Sequence, residues 1–140
     1  MKIRDVYYVD DDKDDLSIFK ETVNSLGITP HLYHDGYKLL VKLEEADPTE
    51  SILFVDLNMP KINGLDLIKA VRKSDMFKSL PIIIFSTAKN PQSIEKCLNI
   101  GASMYLSKPT SLAGYQKAII HVLSINWETH VVSADNFFYE

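Results

Sequence analysis

The chain has 140 residues, 46% of them hydrophobic and 24% charged, which supplies one core and leaves no room for a second domain. A formal charge of −4 and a pI near 5.5 argue against sequence-independent nucleic-acid binding, which relies on clustered Lys and Arg. The single Cys97 rules out an intrachain disulfide framework, and the charged start Lys2-Ile3-Arg4-Asp5 is followed by no apolar run long enough for a signal peptide or membrane span. A cytoplasmic protein is therefore expected.

Along the chain, short β-branched or aromatic runs alternate with longer stretches of helical period, the pattern of a parallel sheet covered on both faces. The first strand is Val6-Tyr7-Tyr8-Val9, followed by the acidic run Asp10-Asp11-Asp12 and a helix carrying Leu16, Phe19, Val23 and Leu26, stopped by Gly27. A second strand is placed near Pro30 to Tyr33. Asp35 can cap the next helix, with Leu39, Leu40 and Leu43 on one side, until Asp47-Pro48 breaks it. Ile52-Leu53-Phe54-Val55 forms the third strand and ends at Asp56. The breaker-rich Leu57-Asn58-Met59-Pro60-Lys61-Ile62-Asn63-Gly64 follows, then a helix marked by Leu65, Ile68 and Val71. Pro81 opens the buried strand Ile82-Ile83-Ile84-Phe85, and Asn90-Pro91 starts a fourth helix through Ile94, Cys97 and Leu98, closed by Gly101. Met104-Tyr105-Leu106 forms the fifth strand, ending at Ser107-Lys108-Pro109, and the fifth helix runs from about Leu112 to Ile125. These five β/α units predict a doubly wound α/β fold, a five-stranded parallel sheet with five flanking helices.

All strands of such a sheet present their carboxyl ends at one edge, where ligands bind. The first tip offers Asp10, Asp11 and Asp12, the third Asp56, the fourth Ser86 and Thr87, and the fifth Lys108. Converging carboxylates repel, and either proton uptake or a hard cation relieves them. Mg²⁺ suits an all-oxygen set. Tetrahedral Zn²⁺ does not, since His31, His34, His121 and His130 are scattered and Cys97 is alone. Each residue has a plainer role: Asp10 to Asp15 as helix N-terminal acids, with Asp12 and Asp14 doing mostly that, Ser86 as a loop hydroxyl, Tyr105 as a strand aromatic, Lys108 as a solvated lysine.

Taken together, the acidic run, Asp56 within Asp-Leu-Asn-Met-Pro-Lys-Ile-Asn-Gly, the Ser86-Thr87 pair, and Tyr105 with Lys108-Pro109 resemble the receiver domain of two-component response regulators, over about Ile3 to Ile125. The resemblance implies a flavodoxin-like strand order 2-1-3-4-5. It makes Asp56 the phosphoacceptor, Asp10 and Asp11 the acidic pair holding Mg²⁺ (Mn²⁺ as substitute) together with Asp56 and the Asn58 backbone carbonyl, and Ser86, Thr87 and Lys108 the groups that receive the phosphoryl oxygens. Ser86 and Tyr105 would be the switch pair, and the Lys108-Pro109 bond is implied to be cis. The donor would be a sensor histidine kinase or a histidine phosphotransfer protein. Output would pass through a face made by the fourth helix, fifth strand and fifth helix to a downstream protein or a homodimer, with neither nucleic acid nor membrane as partner. The stand-alone form resembles chemotaxis-type and phytochrome-associated regulators.

Two positions depart from the pattern. Thr110 stands where a bulky apolar residue is common, and Thr87 where a small one is usual, which would narrow access to Asp56. Asn58 has no carboxyl group to serve as general acid or base, so the acyl phosphate should hydrolyse slowly, without turnover of an independent substrate. An aspartyl-phosphate phosphatase or phosphotransferase, and a receiver-like binding module that is never phosphorylated, are the competing classes. Residues 126–140 form an aromatic tail with Trp127, Phe137, Phe138 and Tyr139, rich for a disordered end, which packs on the domain or at an interface.

Overall fold

The structure, a computed structural model, describes residues 3–140; Met1 and Lys2, part of the charged start, lie outside the described residues. The strands are β1 (Asp5–Val9), β2 (Thr29–Tyr33), β3 (Ser51–Val55), β4 (Ile82–Ser86), β5 (Met104–Ser107) and β6 (Phe138–Tyr139). They alternate with α1 (Lys13–Ser25), α2 (Gly36–Leu43), α3 (Gly64–Arg72), α4 (Pro91–Asn99), α5 (Leu112–Ser124) and the one-turn α6 (Ala134–Phe137). The sheet is parallel throughout, in the order β2-β1-β3-β4-β5-β6. The expected order 2-1-3-4-5 is thus present, but the five-stranded sheet with five helices is corrected to one with a sixth strand and a sixth helix, both built from the aromatic tail.

Alternation along the strands splits the core in two. Leu53, Val55, Ile82, Ile84 and Tyr105 face one side and pack with Leu39, Leu67, Ile68, Cys97 and Phe137. Val6, Tyr8, Ile52, Phe54, Ile83 and Phe85 face the other, against Phe19, Val23, Tyr115, Ile119 and Val122. Each fully buried side chain of this size contributes roughly 2 kcal/mol by removal from water, and both faces of the sheet supply such residues. Tyr8 sits among Phe19, Phe54 and Phe85, with its ring centroid 4.3 Å from that of Phe19. Through its hydroxyl, which donates to the Asp10 carboxylate, Tyr8 ties this aromatic layer to the residue just beyond β1.

Polar caps start the helices where the sequence indicates. The side chains of Asp12, Asp35, Asn63, Asn90 and Ser111 each accept at least one amide N–H from the first turn. Gly27, with φ 78°, ends α1 as expected, whereas Leu26 sits at the C-cap and is exposed instead of joining the core. No helix of the described residues is long and apolar enough to cross a membrane.

Candidate functional site

The register of the sheet brings the site residues together. Val9 pairs with Val55, so the residues one step further, Asp10 and Asp56, emerge side by side at the carboxyl edge. The Asp56 N–H donates to Val9 O and the Asp10 N–H to Tyr33 O, both at 3.0 Å, which fixes the backbone of each acid. Ser86 pairs with Ser107, and the Lys108 N–H donates to Ser86 O at 2.8 Å, placing the lysine one residue beyond. The Lys108-Pro109 bond is trans, which corrects the cis bond implied by resemblance; that backbone hydrogen bond holds Lys108 at the edge.

The loop after β3 explains why its sequence carries a glycine. A Cβ at Gly64 would lie 2.7 Å from Asp56 O and 2.9 Å from Leu57 Cα, so only glycine permits α3 to start so close beneath the acid. The turn closes with the Gly64 N–H donating to Leu57 O at 3.0 Å, and Lys61 reaches across to Asp35 at 3.0 Å. Asn58 lies exposed within this loop.

Asp10, Asp11 and Asp56 each offer a carboxylate oxygen within 4.8 Å of the others. Asp10 and Asp56 are buried, Asp11 is exposed. Lys108, its side chain 7% exposed, bonds Asp10 at 2.7 Å and Asp15 at 2.8 Å, and lies 3.7 Å from Asp56. Asp10 is further held by the Tyr8 hydroxyl and, at 2.9 Å, by the Asp12 N–H. Asp56 has fewer partners than Asp10 and carries the electrostatic imbalance. Burial above all, then Asp10 and Asp11, push its carboxyl up to about 7 against the pull of Lys108. For Lys108, burial works to lower the ammonium, but the bonds to Asp10 and Asp15 outweigh it and hold the group above its ordinary value.

Asp15 is a partner of Lys108 that the sequence hides among the capping acids. Asp12 is the cap, accepting from the Asp14 and Asp15 N–H groups, while Asp14 is an exposed first-turn acid and Asp15 turns inward to Lys108. Tyr115 on α5 also donates to Asp15 O at 3.1 Å. The phase of α1 decides which acid faces the edge, and five acids in six residues hide that phase.

The switch candidates converge on one backbone residue, Ala88. Ser86 is buried, and its Oγ accepts from the Ala88 N–H at 3.2 Å. Tyr105 is fully buried and its hydroxyl donates to Ala88 O at 2.6 Å. Thr87 is exposed to solvent on the loop between them. Cys97 is buried in the core, and burial raises its thiol to about 11, so it remains protonated and unreactive.

Comparison with known proteins agrees with this arrangement. The sequence model of the family described as "Response regulator receiver domain" matches residues 6–120. The chemotaxis protein CheY1 of Helicobacter pylori is 34% identical over 119 residues, covering 84% of this chain and 95% of that protein. The two-component response regulator ORR7 of Oryza sativa subsp. indica is 29% identical over 110 residues, covering 79% of this chain but 53% of that longer protein. Among solved structures, the chemotaxis response regulator CheY4 of Vibrio cholerae superposes with a TM-score of 0.74 at 27% identity, over 86% of this chain and 99% of that one.

Proposed function

The chain belongs to the response regulator receiver domain family, and from that premise we propose that it accepts a phosphoryl group on Asp56 and, once loaded, presents an altered protein-binding face. The observation that carries this reading is the meeting of Asp56 with Asp10, Asp11 and Lys108 at one sheet edge. In the reaction, an Asp56 carboxylate oxygen forms the new P–O bond in line with the bond being broken. The leaving group is the imidazole nitrogen of a phosphohistidine on a kinase or phosphotransfer protein, which takes up a proton. Asp56 must be ionised to attack. Its raised proton affinity makes the neighbouring positive charge part of the chemistry and not an accessory.

The all-oxygen donor set fits Mg²⁺, or Mn²⁺ in its place: Asp10, Asp11, Asp56 and the Asn58 carbonyl would hold it, and the ion would neutralise charge on the phosphoryl oxygens. Lys108 supplies the second positive charge. It is bonded to Asp10 and Asp15 and lies 3.7 Å from Asp56, so its third N–H would turn to a phosphoryl oxygen on Asp56. Ser86 Oγ, once drawn to another phosphoryl oxygen, would leave the Ala88 N–H and vacate space into which Tyr105 turns, favouring its inward position. That carries the signal from the edge to α4, β5 and α5, where a downstream protein or second copy would read it. Slow hydrolysis follows from the absence of a carboxyl group at Asn58.

Incubation with Mg²⁺ and acetyl phosphate, followed by intact-mass measurement, tests the proposal. Wild type should gain one phosphoryl mass and Asp56→Asn none; a wild type that gains nothing sinks the reading. Sustained release of phosphate from an ester would point to an enzyme instead. In the same assay Thr87→Ala should react a few-fold faster if the exposed threonine narrows the approach to Asp56, and equal rates would remove it from that role.

A further inference from the structure

The aromatic tail occupies the face through which output is proposed to pass. Phe137 is 1% exposed and joins the same core as Tyr105. The next two residues pair with β5, Phe138 opposite Tyr105 and Tyr139 opposite Leu106. Strand alternation then sends them to different sides. The Phe138 ring lies 5.8 Å from that of Tyr105, whereas Tyr139 stacks on His121 of α5 at 4.1 Å with the planes 11° apart. Glu140 completes the crossing with an ion pair to Lys89, just before α4, at 3.1 Å. That pair is exposed and adds little; strand pairing and ring contact hold the strap.

A continuous set of contacts connects this strap to the phosphoacceptor edge. Phe138 touches Tyr105, the Tyr105 hydroxyl donates to Ala88 O, and the Ala88 N–H donates to Ser86 Oγ. Tyr105 turned outward from its buried position would enter space held by β6. Its inward position and the docked strap therefore belong to one state.

We propose that β6 is an internal ligand of the α4–β5–α5 face, docked when Tyr105 is inward, so that strap docking and phosphorylation of Asp56 reinforce each other. The inference rests on the phosphoacceptor reading above, in which phosphorylation frees space for Tyr105 to turn in. Coupling between two sites is reciprocal: whatever phosphorylation adds to strap docking, the strap returns to the phosphoryl site. The surface offered to a partner in the switched state is then built from α4, β6 and α5, with Tyr139 and His121 on it, and not from the edge of β5 itself.

Beryllofluoride with Mg²⁺, a phosphoryl mimic, provides the test by calorimetric titration of the full chain. Phe138→Ala, which keeps the core residue Phe137, should weaken mimic binding about tenfold, within the usual range of coupling. Tyr139→Ala should act in the same direction, and in a Tyr105→Ala background Phe138→Ala should add nothing. Hydrogen exchange of the 137–140 amides should slow when the wild type is saturated. Equal affinity in folded Phe138→Ala and wild type, or strap exchange that does not slow, overturns the coupling alone. A wild type that binds no mimic overturns the phosphoacceptor reading and the coupling with it.

Discussion

Replacing Lys108 with methionine is expected to cost about 3 kcal/mol of stability without divalent cation and to slow phosphorylation on the order of 10²-fold. The stability loss comes from the contacts of the ammonium. Two carboxylates, Asp10 and Asp15, are bonded to it within 2.8 Å, and Asp56 lies 3.7 Å away. Methionine preserves much of the side-chain volume against Phe85, over whose ring the ammonium sits at 5.6 Å, so the change removes charge more than packing. Acids left facing one another must then take up protons or separate, and Asp10, with no exposed surface, cannot turn to water. The deficit should accordingly be larger at pH 8 than at pH 5 and partly repaired by millimolar Mg²⁺. Thermal or urea unfolding measures the first effect and time-resolved intact mass the second. A Lys108→Met protein that melts like wild type at pH 8 would show that Asp10 and Asp15 do not need the cation for stability.

What could be read from the chain differs from residue to residue for physical reasons. The strands with their tips were legible because apolar runs buried on both faces are bounded by Asp, Asn, Pro and Gly, and parallel strands have one common carboxyl edge. Asp10, Asp11, Asp56 and Lys108 came together at that edge because strand register is set by the same pattern that buries the core. Asp15 was not legible, since its direction depends on where α1 begins within a run of acids. The sixth strand was hidden for another reason. Two residues are too few to show alternation, and Phe138 and Tyr139 are in a strand because β5 had an open edge, which is a tertiary fact. The positions of Ser86 and Tyr105 were readable, but not that both converge on Ala88, because a backbone carbonyl and amide leave no mark in a sequence. The resemblance also implied a cis bond before Pro109 that the structure does not contain.

The other large effect concerns pH and cation together. Asp56 has an ordinary carboxyl value of 3.8 when unfolded and about 7 in the folded protein, raised first by burial. A raised folded value means that the folded state holds a proton which the unfolded chain has released. The associated stability is complete below the unfolded value and is lost as pH rises through the window from 3.8 to about 7. Above that window the folded protein carries an ionised, buried carboxylate beside Asp10 and Asp11, at a cost on the order of 2 kcal/mol once relaxation is allowed for. Asp56→Asn removes that cost. In the absence of divalent ions it should unfold at higher denaturant than wild type at pH 8, with the two proteins converging near pH 5. Mg²⁺ competes with the proton for the same oxygens, so its stabilisation of wild type should be small at pH 5, grow through pH 7, and be strongly reduced in Asp56→Asn. Urea midpoints at three pH values, with Mg²⁺ and with a chelator, separate the contributions. A wild type whose midpoint rises between pH 5 and pH 8 without cation would be compatible with the linkage only if Asp56→Asn rises by more. If the two rise in parallel, the charge on Asp56 is not what opposes folding, and the attraction of this edge for a cation must come from Asp10 and Asp11 alone.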